Sequence, residues 1–263
     1  MKNDFSQRLS AKLDKQWKGF TDLLADGVAG REGSRLNLLS EVLDELVSTN
    51  NPNNAKVIES FVKARSISEL LHFTPIENLE QILRYGFIPR LYLENVKILR
   101  ASFPDVNRDD GNKHCYCMSI SWPNYKMFDF KRRELGGEWV VLKINPRAII
   151  DNECFFYKTN AGSYSGRKVG AEKIEDMFFD ENFRKQLDIP DSFTTDPQAE
   201  VQSESRIPPE WIDEIHVMEK NSTSRNVRRI LRNANLSDKI SIVISKKYFD
   251  KRKDYKYWQR SLA

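Results

Sequence analysis

The run "TTDPQAEV", Thr194 to Val201, sets a carboxylate, Glu200, two residues after an amide, Gln198, and just past a proline. In an extended segment side chains alternate between faces, so Gln198, Glu200 and Gln202 share one face while Ala199 and Val201 take the other. Such a polar stripe is either a solvated strand face or the floor of a cleft in which the carboxylate meets a substrate. Other polar residues stand at expected strand ends: His72 with Thr74, Arg108 with Asp110, Ser119 with Ser121, Asn124 with Tyr125, and Asn160. Singly, each has a plain structural reading. A strand-end histidine is ordinarily a satisfied one, "NRDDG" (107–111) reads as a turn, and "WPNYKMF" (122–128) reads as a Pro-Asn turn with aromatic packing.

Three histidines and three cysteines raise the question of metal, and "HCYC" (114–117) is the place to look. Two thiols one residue apart on a strand point the same way, and no second C-x-x-C or H-x-x-x-H completes four ligands. No metal is expected. No Walker loop, no Gly-x-Gly-x-x-Gly and no Gly-x-Ser-x-Gly occurs, which removes the P-loop, dinucleotide-fold and α/β-hydrolase readings.

The elements that must hold these residues are short. Leu9, Leu13, Trp17, Phe20 and Leu24, then Leu36 to Leu46, then Val57 to Val62 recur at helical steps, and residues 1–65 read as a helical appendage. "ELLHFT" reads as a strand. "PIENLEQILRYG" follows as a helix with Thr74 as its cap, Pro75 at its first position and Gly86 as its stop. "HCYCMSISW" alternates, with Cys115, Cys117, Ser119 and Ser121 on one face and Tyr116, Met118, Ile120 and Trp122 on the other. "EWVVLKINP", "CFFY", "DEIHVME" and "KISIVIS" are further strands, and "TSRNVRRILRNAN" is a helix. Many short strands without regular strand–helix alternation indicate an α+β domain over residues 66–263.

With 263 residues, 40% hydrophobic and 30% charged, the chain can bury a sizeable core. No apolar run reaches membrane-spanning length, the N-terminus is too polar for a secretory signal, and three cysteines in no framework spacing suit a reducing compartment; a cytoplasmic location is expected. Residues 220–263 hold 13 Lys and Arg against 3 Asp, a balance of +10, which leaves −6 for the remainder of a +4 chain. That asymmetry points to a polyanionic partner for the C-terminal part.

In order along the chain, "LLHFTPIENLEQILRYGFIPR", "RDDG", "CMSISWPNYKMF", "TNAGS" and "TTDPQAEV" resemble the DarT-type nucleic-acid ADP-ribosyltransferases, over about residues 66–260. The resemblance implies a fold of two small packed, mostly antiparallel sheets with flanking helices. It also implies NAD+ as co-substrate, without metal. Glu200 is then the carboxylate that holds the ribose and steadies the developing cation, and Gln198 positions the nucleophile. His72 and Thr74 bind NAD+, Ser119, Ser121 and Tyr125 wall the nicotinamide pocket, and Asn78 and Asn124 supply polar contacts. Arg108 meets the pyrophosphate or orients the acceptor, with Arg100 as the alternative.

The acceptor expected from charge is a base in single-stranded DNA or RNA. Arg225, Arg228, Arg229 and Arg232 fall largely on one helical side, and Lys246 and Lys247 open a run of basic and aromatic residues suited to phosphates and stacked bases. Such an enzyme is toxic in its own cell. A toxin–antitoxin or anti-phage setting follows, with a neutralising partner of macrodomain, binding or chaperone-held type. Two other readings stay open at this point: a transferase of the same fold acting on protein, and a catalytically idle nucleic-acid-binding module.

Overall fold

Every strand expected above forms, because each is a run of apolar or β-branched residues bounded by turn chemistry. A computed structural model describes residues 50–90, 102, 115–164 and 173–260 of the chain. Its strands are β1 (Leu70–Pro75), β2 (Tyr116–Ile120), β3 (Trp139–Ile144), β4 (Cys154–Tyr157), β5 (Glu200–Ser203), β6 (Ile212–Val217) and β7 (Ser241–Ile244). They lie in the order β4-β5-β2-β1-β3-β6-β7. Every pairing is antiparallel except β6 with β7.

The α+β class holds, but the two expected sheets are one sheet with a weak seam. β1 pairs with β3 along all six of its residues, whereas it meets β2 only at Leu70–Ile120 and Leu71–Ser119. Beyond Leu71 the two strands part. The sheet therefore has two halves, β1-β3-β6-β7 and β2-β5-β4, hinged at one end and open at the other.

Alternation along the strands divides the core in two. Leu70, Met118, Ile120, Val140, Leu142, Ile144, Val201 and Ile215 point to one face, where the larger apolar cluster forms. Leu71, Val141 and Trp139 point to the other, packing with Phe128, Tyr248 and Phe249. Each fully buried large aliphatic side chain contributes roughly 1.5–3 kcal/mol. The first face is covered by α2 (Leu79–Tyr85) and α6 (Ser222–Asn233), the second by α3 (Tyr125–Leu135). Among the remaining helices, α4 (Arg147–Ile150), α5 (Glu181–Gln186) and α7 (Tyr255–Arg260) are short.

The chain divides into two compact units, Met1–Leu46 and Val47–Ala263. Residues 1–49, with the helices expected there, lie outside the described residues. The last of the helices read into the appendage, α1 (Pro52–Ala64), buries Ile58 and Val62 in the larger cluster of the second unit. Among the described residues, no helix is long and apolar enough to cross a membrane.

Two local expectations change. Thr74 is not a helix cap, because β1 runs on to Pro75 and a 3-10 turn, Ile76–Asn78, intervenes before α2; Gly86 does end that helix, at φ 80°. Trp122 does not continue the face of Met118 and Ile120. Ser121 takes a left-handed φ of 59°, which turns the chain and delivers Trp122 to Tyr248 and Phe193 on the other side.

Candidate active site

Glu200 opens β5, next to Val201, which lies in the larger core cluster; alternation therefore puts Glu200 and Gln202 on the opposite face. Both carboxylate oxygens are held. The Ala161 N–H donates to Oε2 at 3.0 Å, and the Gln202 amide donates to Oε1 at 3.1 Å. The first donor is aimed by a tight turn in which the Asn160 side chain accepts from the Gly162 N–H at 2.9 Å. Gln202 is fully buried while Glu200 stays partly exposed, so the carboxylate is fixed from below and open from above. Among the described residues its partners are neutral donors, which leaves its charge available to a cation.

Gln198 is not in β5. It lies in the turn ahead of β5, where its N–H donates to Asp196 Oδ1 at 2.7 Å and the Ala199 N–H donates to the Asp196 carbonyl. Asp-Pro-Gln is turn chemistry, and it delays the strand by two residues. The amide that meets Glu200 is Gln202, two residues on the other side.

His72 sits where β1 and β2 part. Its Nδ1 donates to the Cys117 carbonyl oxygen at 2.7 Å, and its ring packs edge-on against Phe87. Burial lowers its pKa, against the opposing effect of the Cys117 hydrogen bond, so the ring is neutral near pH 7. With the proton on Nδ1, Nε2 is a bare acceptor suited to a hydroxyl. Cys117 ties this histidine to the carboxylate: its residue pairs with Gln202 across β2 and β5, and Gln202 Nε2 lies 3.8 Å from its sulfur. Thr74 is buried, and its hydroxyl accepts from Asn78 at 3.0 Å. Asn78 in turn holds Ser102 at both backbone groups, at 2.6 and 2.8 Å. Its amide is a brace for the chain between α2 and β2.

The segment after β2 carries the expected pocket residues in two roles. Ser119 accepts from the Asn124 N–H at 3.2 Å, and Asn124 caps α3 by accepting from Met127 at 3.1 Å; both build the turn. Ser121 Oγ, Trp122 Nε1 and Tyr125 OH, by contrast, are buried without a hydrogen-bond partner among the described residues. Buried polar atoms left unpaired cost about 1–3 kcal/mol each and are rare in native proteins. The three fall within five residues, at the turn between β2 and α3. Burial, with the Asp254 carboxylate adding to it, pushes Tyr125 up to about 12, so its hydroxyl stays a donor.

Arg108 and Arg100 lie outside the described residues. Arg225, Arg228, Arg229 and Arg232 are exposed on α6, which packs inward through Val227, Ile230 and Leu231. Those three lie in the same cluster as Val201, so the arginines ride on the sheet face opposite Glu200. Lys246 is exposed and 3.6 Å from Glu219, while the Lys247 ammonium donates to Tyr248 OH at 2.7 Å. Among the described residues, no group of three His, Cys, Asp or Glu is placed to hold a metal.

A family model described as ssDNA thymidine ADP-ribosyltransferase, DarT, matches residues 71–249. Among solved structures, Thermus sp. 2.9 DarT in complex with ADP-ribosylated ssDNA superposes with a TM-score of 0.51 at 16% identity, covering 70% of this chain and 97% of that one. The same protein in complex with NAD+ gives 0.48 at 16% identity, over 70% and 98%. Thermosipho africanus DarTG in complex with ADP-ribose gives 0.46 at 13% identity, over 69% of this chain and 51% of that one, so the chain spans about half of that protein's length. No curated protein matches. These likenesses concern the fold; the family match spans most of the sequence and takes in Glu200, His72 and the polar patch alike, and by it the chain belongs to the DarT family of ssDNA thymidine ADP-ribosyltransferases.

Proposed function

We propose that this protein moves ADP-ribose from NAD+ onto a thymine base of single-stranded DNA, with Glu200 as its catalytic carboxylate. In that reaction the bond between C1 of the nicotinamide ribose and the pyridinium nitrogen breaks. Its electron pair stays with nicotinamide, which leaves neutral and needs no acid. The ribose carbon passes through an oxocarbenium-like state. Thymine in DNA offers one ring N–H, at N3, since N1 carries the sugar. Attack by N3 forms the new C–N bond, and the displaced proton passes to Glu200, a general-base role typically contributing about 10²–10⁴-fold.

The carrying observation is the state of Glu200: both oxygens held by neutral donors and one side open. A fixed, uncompensated carboxylate suits a passing cation, because no reorganisation is needed when the charge appears. His72 Nε2 accepts a ribose hydroxyl of the same dinucleotide. Ser121, Trp122 and Tyr125 take the nicotinamide carboxamide, whose oxygen and amide match their unpaired donors and acceptors. Arg108 meets the pyrophosphate, as a guanidinium fork does well. Modification of the cell's own DNA is self-damaging, so a neutralising protein, a macrodomain hydrolase or a binding antitoxin, belongs to the same proposal, as does action in the cytoplasm.

The test is labelled NAD+ with single-stranded DNA, single-stranded RNA, duplex DNA and lysate protein, in parallel with Glu200→Gln. The expected result is label on thymidine-containing single-stranded DNA, reduced by at least about 10²-fold in the variant. Label on protein alone, or undiminished label in Glu200→Gln, would exclude this reading.

A further inference from the structure

The loop between α5 and Glu200 is bound from two sides by buried guanidinium groups, neither of which the reaction above uses. Arg184 on α5 is 1% exposed, and Arg252, in the basic run after β7, is 3% exposed. Arg184 donates from Nη1 to the Phe193 carbonyl at 2.7 Å and to Thr195 Oγ1 at 3.1 Å, and from Nη2 to the Pro190 carbonyl at 3.0 Å. Arg252 donates to the next two carbonyls, Thr194 at 2.7 Å and Thr195 at 2.8 Å. Its Nε donates to Asp254 Oδ1 at 2.7 Å, and its Nη2 pairs with the other carboxylate oxygen.

Burying a guanidinium costs several kcal/mol unless its donors are satisfied. Here most of the donors are satisfied by the backbone of one loop, with Thr195 Oγ1 and the Asp254 carboxylate taking others, while Arg184 Nε has no hydrogen-bond partner among the described residues. Asp254 completes the clamp and fixes it to the body of the protein. Its Oδ2 accepts from the Trp258 indole at 2.7 Å, and Lys126 of α3 donates to the Trp258 carbonyl at 2.9 Å. Burial alone would raise the Asp254 carboxyl, but the hydrogen bonds and charge of Arg252 hold it below the ordinary value. Phe193 of the loop packs on Trp122, and Arg252 lies over its ring, so the clamped loop borders the polar patch.

We infer that Arg252, oriented by Asp254, is a positioning residue for base transfer: it sets the loop that delivers Glu200 and borders the nicotinamide patch. The inference rests on the reading of Glu200 given above. Four residues separate Thr195 from Glu200, and two of the intervening backbone N–H groups are tied to Asp196. Displacement of the Thr194–Thr195 carbonyls is therefore passed to the carboxylate rather than absorbed. Misplacement by about 1 Å costs on the order of 10²-fold in rate. Lysine cannot replace this group, because a single ammonium cannot span two carbonyls and a carboxylate in one plane.

The experiment compares Arg252→Ala, Arg252→Lys and Asp254→Asn in transfer to a thymidine oligonucleotide, with hydrogen exchange of the backbone amides. In Arg252→Ala, kcat falls by about 10²-fold with the KM for NAD+ unchanged, and added guanidinium ion restores part of the loss. Arg252→Lys remains low, and Asp254→Asn loses less. The amides of Thr194, Thr195, Asp196, Gln198 and Ala199 exchange faster while those of β3 do not. Wild-type kcat in Arg252→Ala, or full recovery in Arg252→Lys, overturns the inference. So does exchange that spreads into β3 with kcat and KM lost together, which marks a merely structural role; if Arg252→Ala fails to fold, Asp254→Asn decides by the same criteria. Should the wild-type protein transfer nothing, the functional reading fails, while exchange at 194–199 still reports whether the clamp holds the loop.

Discussion

At the scale of single residues, the chemistry turns on which atoms are spent on structure and which are left over. Glu200 spends one lone pair on each oxygen and keeps the rest. Ser119 and Asn124 are spent on a turn, whereas Ser121 and Tyr125 are not. His72 spends Nδ1 on the Cys117 carbonyl, which fixes the tautomer and leaves Nε2 as an acceptor. This has a consequence in pH. Burial lowers the histidine below its ordinary 6.5, so the neutral ring persists until the pH falls beneath that value. Protonation then turns Nε2 into a donor and removes the acceptor. The KM for NAD+ is expected to be flat from about pH 8 to about 6.5 and to rise below it, with kcat less affected. Steady-state kinetics across that range checks this, and a KM that already rises between about pH 8 and about 6.5 would overturn the neutral acceptor.

At the scale of elements, the site exists because β1 and β2 pair for two residues and then part, and something must hold His72 in the gap. That something is the turn after α2. Gly86 takes φ +80°, and a Cβ there would meet the Ile207 carbonyl oxygen at 2.0 Å. Its successor, Phe87, bridges to Ile207 and lies edge-on to the His72 ring, 4.9 Å between centroids. Gly86→Ala therefore loses about 1–2 kcal/mol to the left-handed backbone and more to the collision. The expected result is a Tm lower by at least about 4 °C, at roughly 2–4 °C per kcal/mol, and weaker NAD+ binding as Phe87 shifts. Calorimetry with and without NAD+ checks both, and an unchanged Tm refutes the close approach. The glycine stop and the strands were legible in sequence because each rests on local pattern. The parting of β1 from β2 was not, since register is a long-range property. Alternation puts Gln202 on the face of Glu200, as found, but it also puts Gln198 there, because it takes no account of the Asp-Pro turn that delays the strand start. Neither Arg184 nor Arg252 is singled out by the sequence, and only the folded loop shows what they hold.

At the scale of the whole molecule, charge and shape pull apart. The basic excess lies in residues 220–263, yet its most regular part, the arginine side of α6, faces away from Glu200. Arg252, from the same run, is buried in the loop clamp, and Lys247 is occupied by Tyr248. The exposed charge on α6 therefore lies on the sheet face opposite Glu200. We propose that it meets phosphates further along a strand that passes the sheet edge. A length dependence follows. Replacing Arg225, Arg228, Arg229 and Arg232 together by glutamine should leave transfer to a very short thymidine oligonucleotide unchanged and raise the KM for a long one. For the long substrate, the slope of log affinity against log salt should become shallower by about 0.7 for each phosphate that the helix no longer neutralises. The helix itself should survive, since Val227, Ile230 and Leu231 still fill its buried side and glutamine is a good helix former. Binding measured against salt at two oligonucleotide lengths separates the outcomes. Equal losses at both lengths would bring α6 to the acceptor base and overturn the opposite-face placement. No loss at either would make the arginine face an ordinary solvated one, and DNA would then be held by the Glu200 face alone.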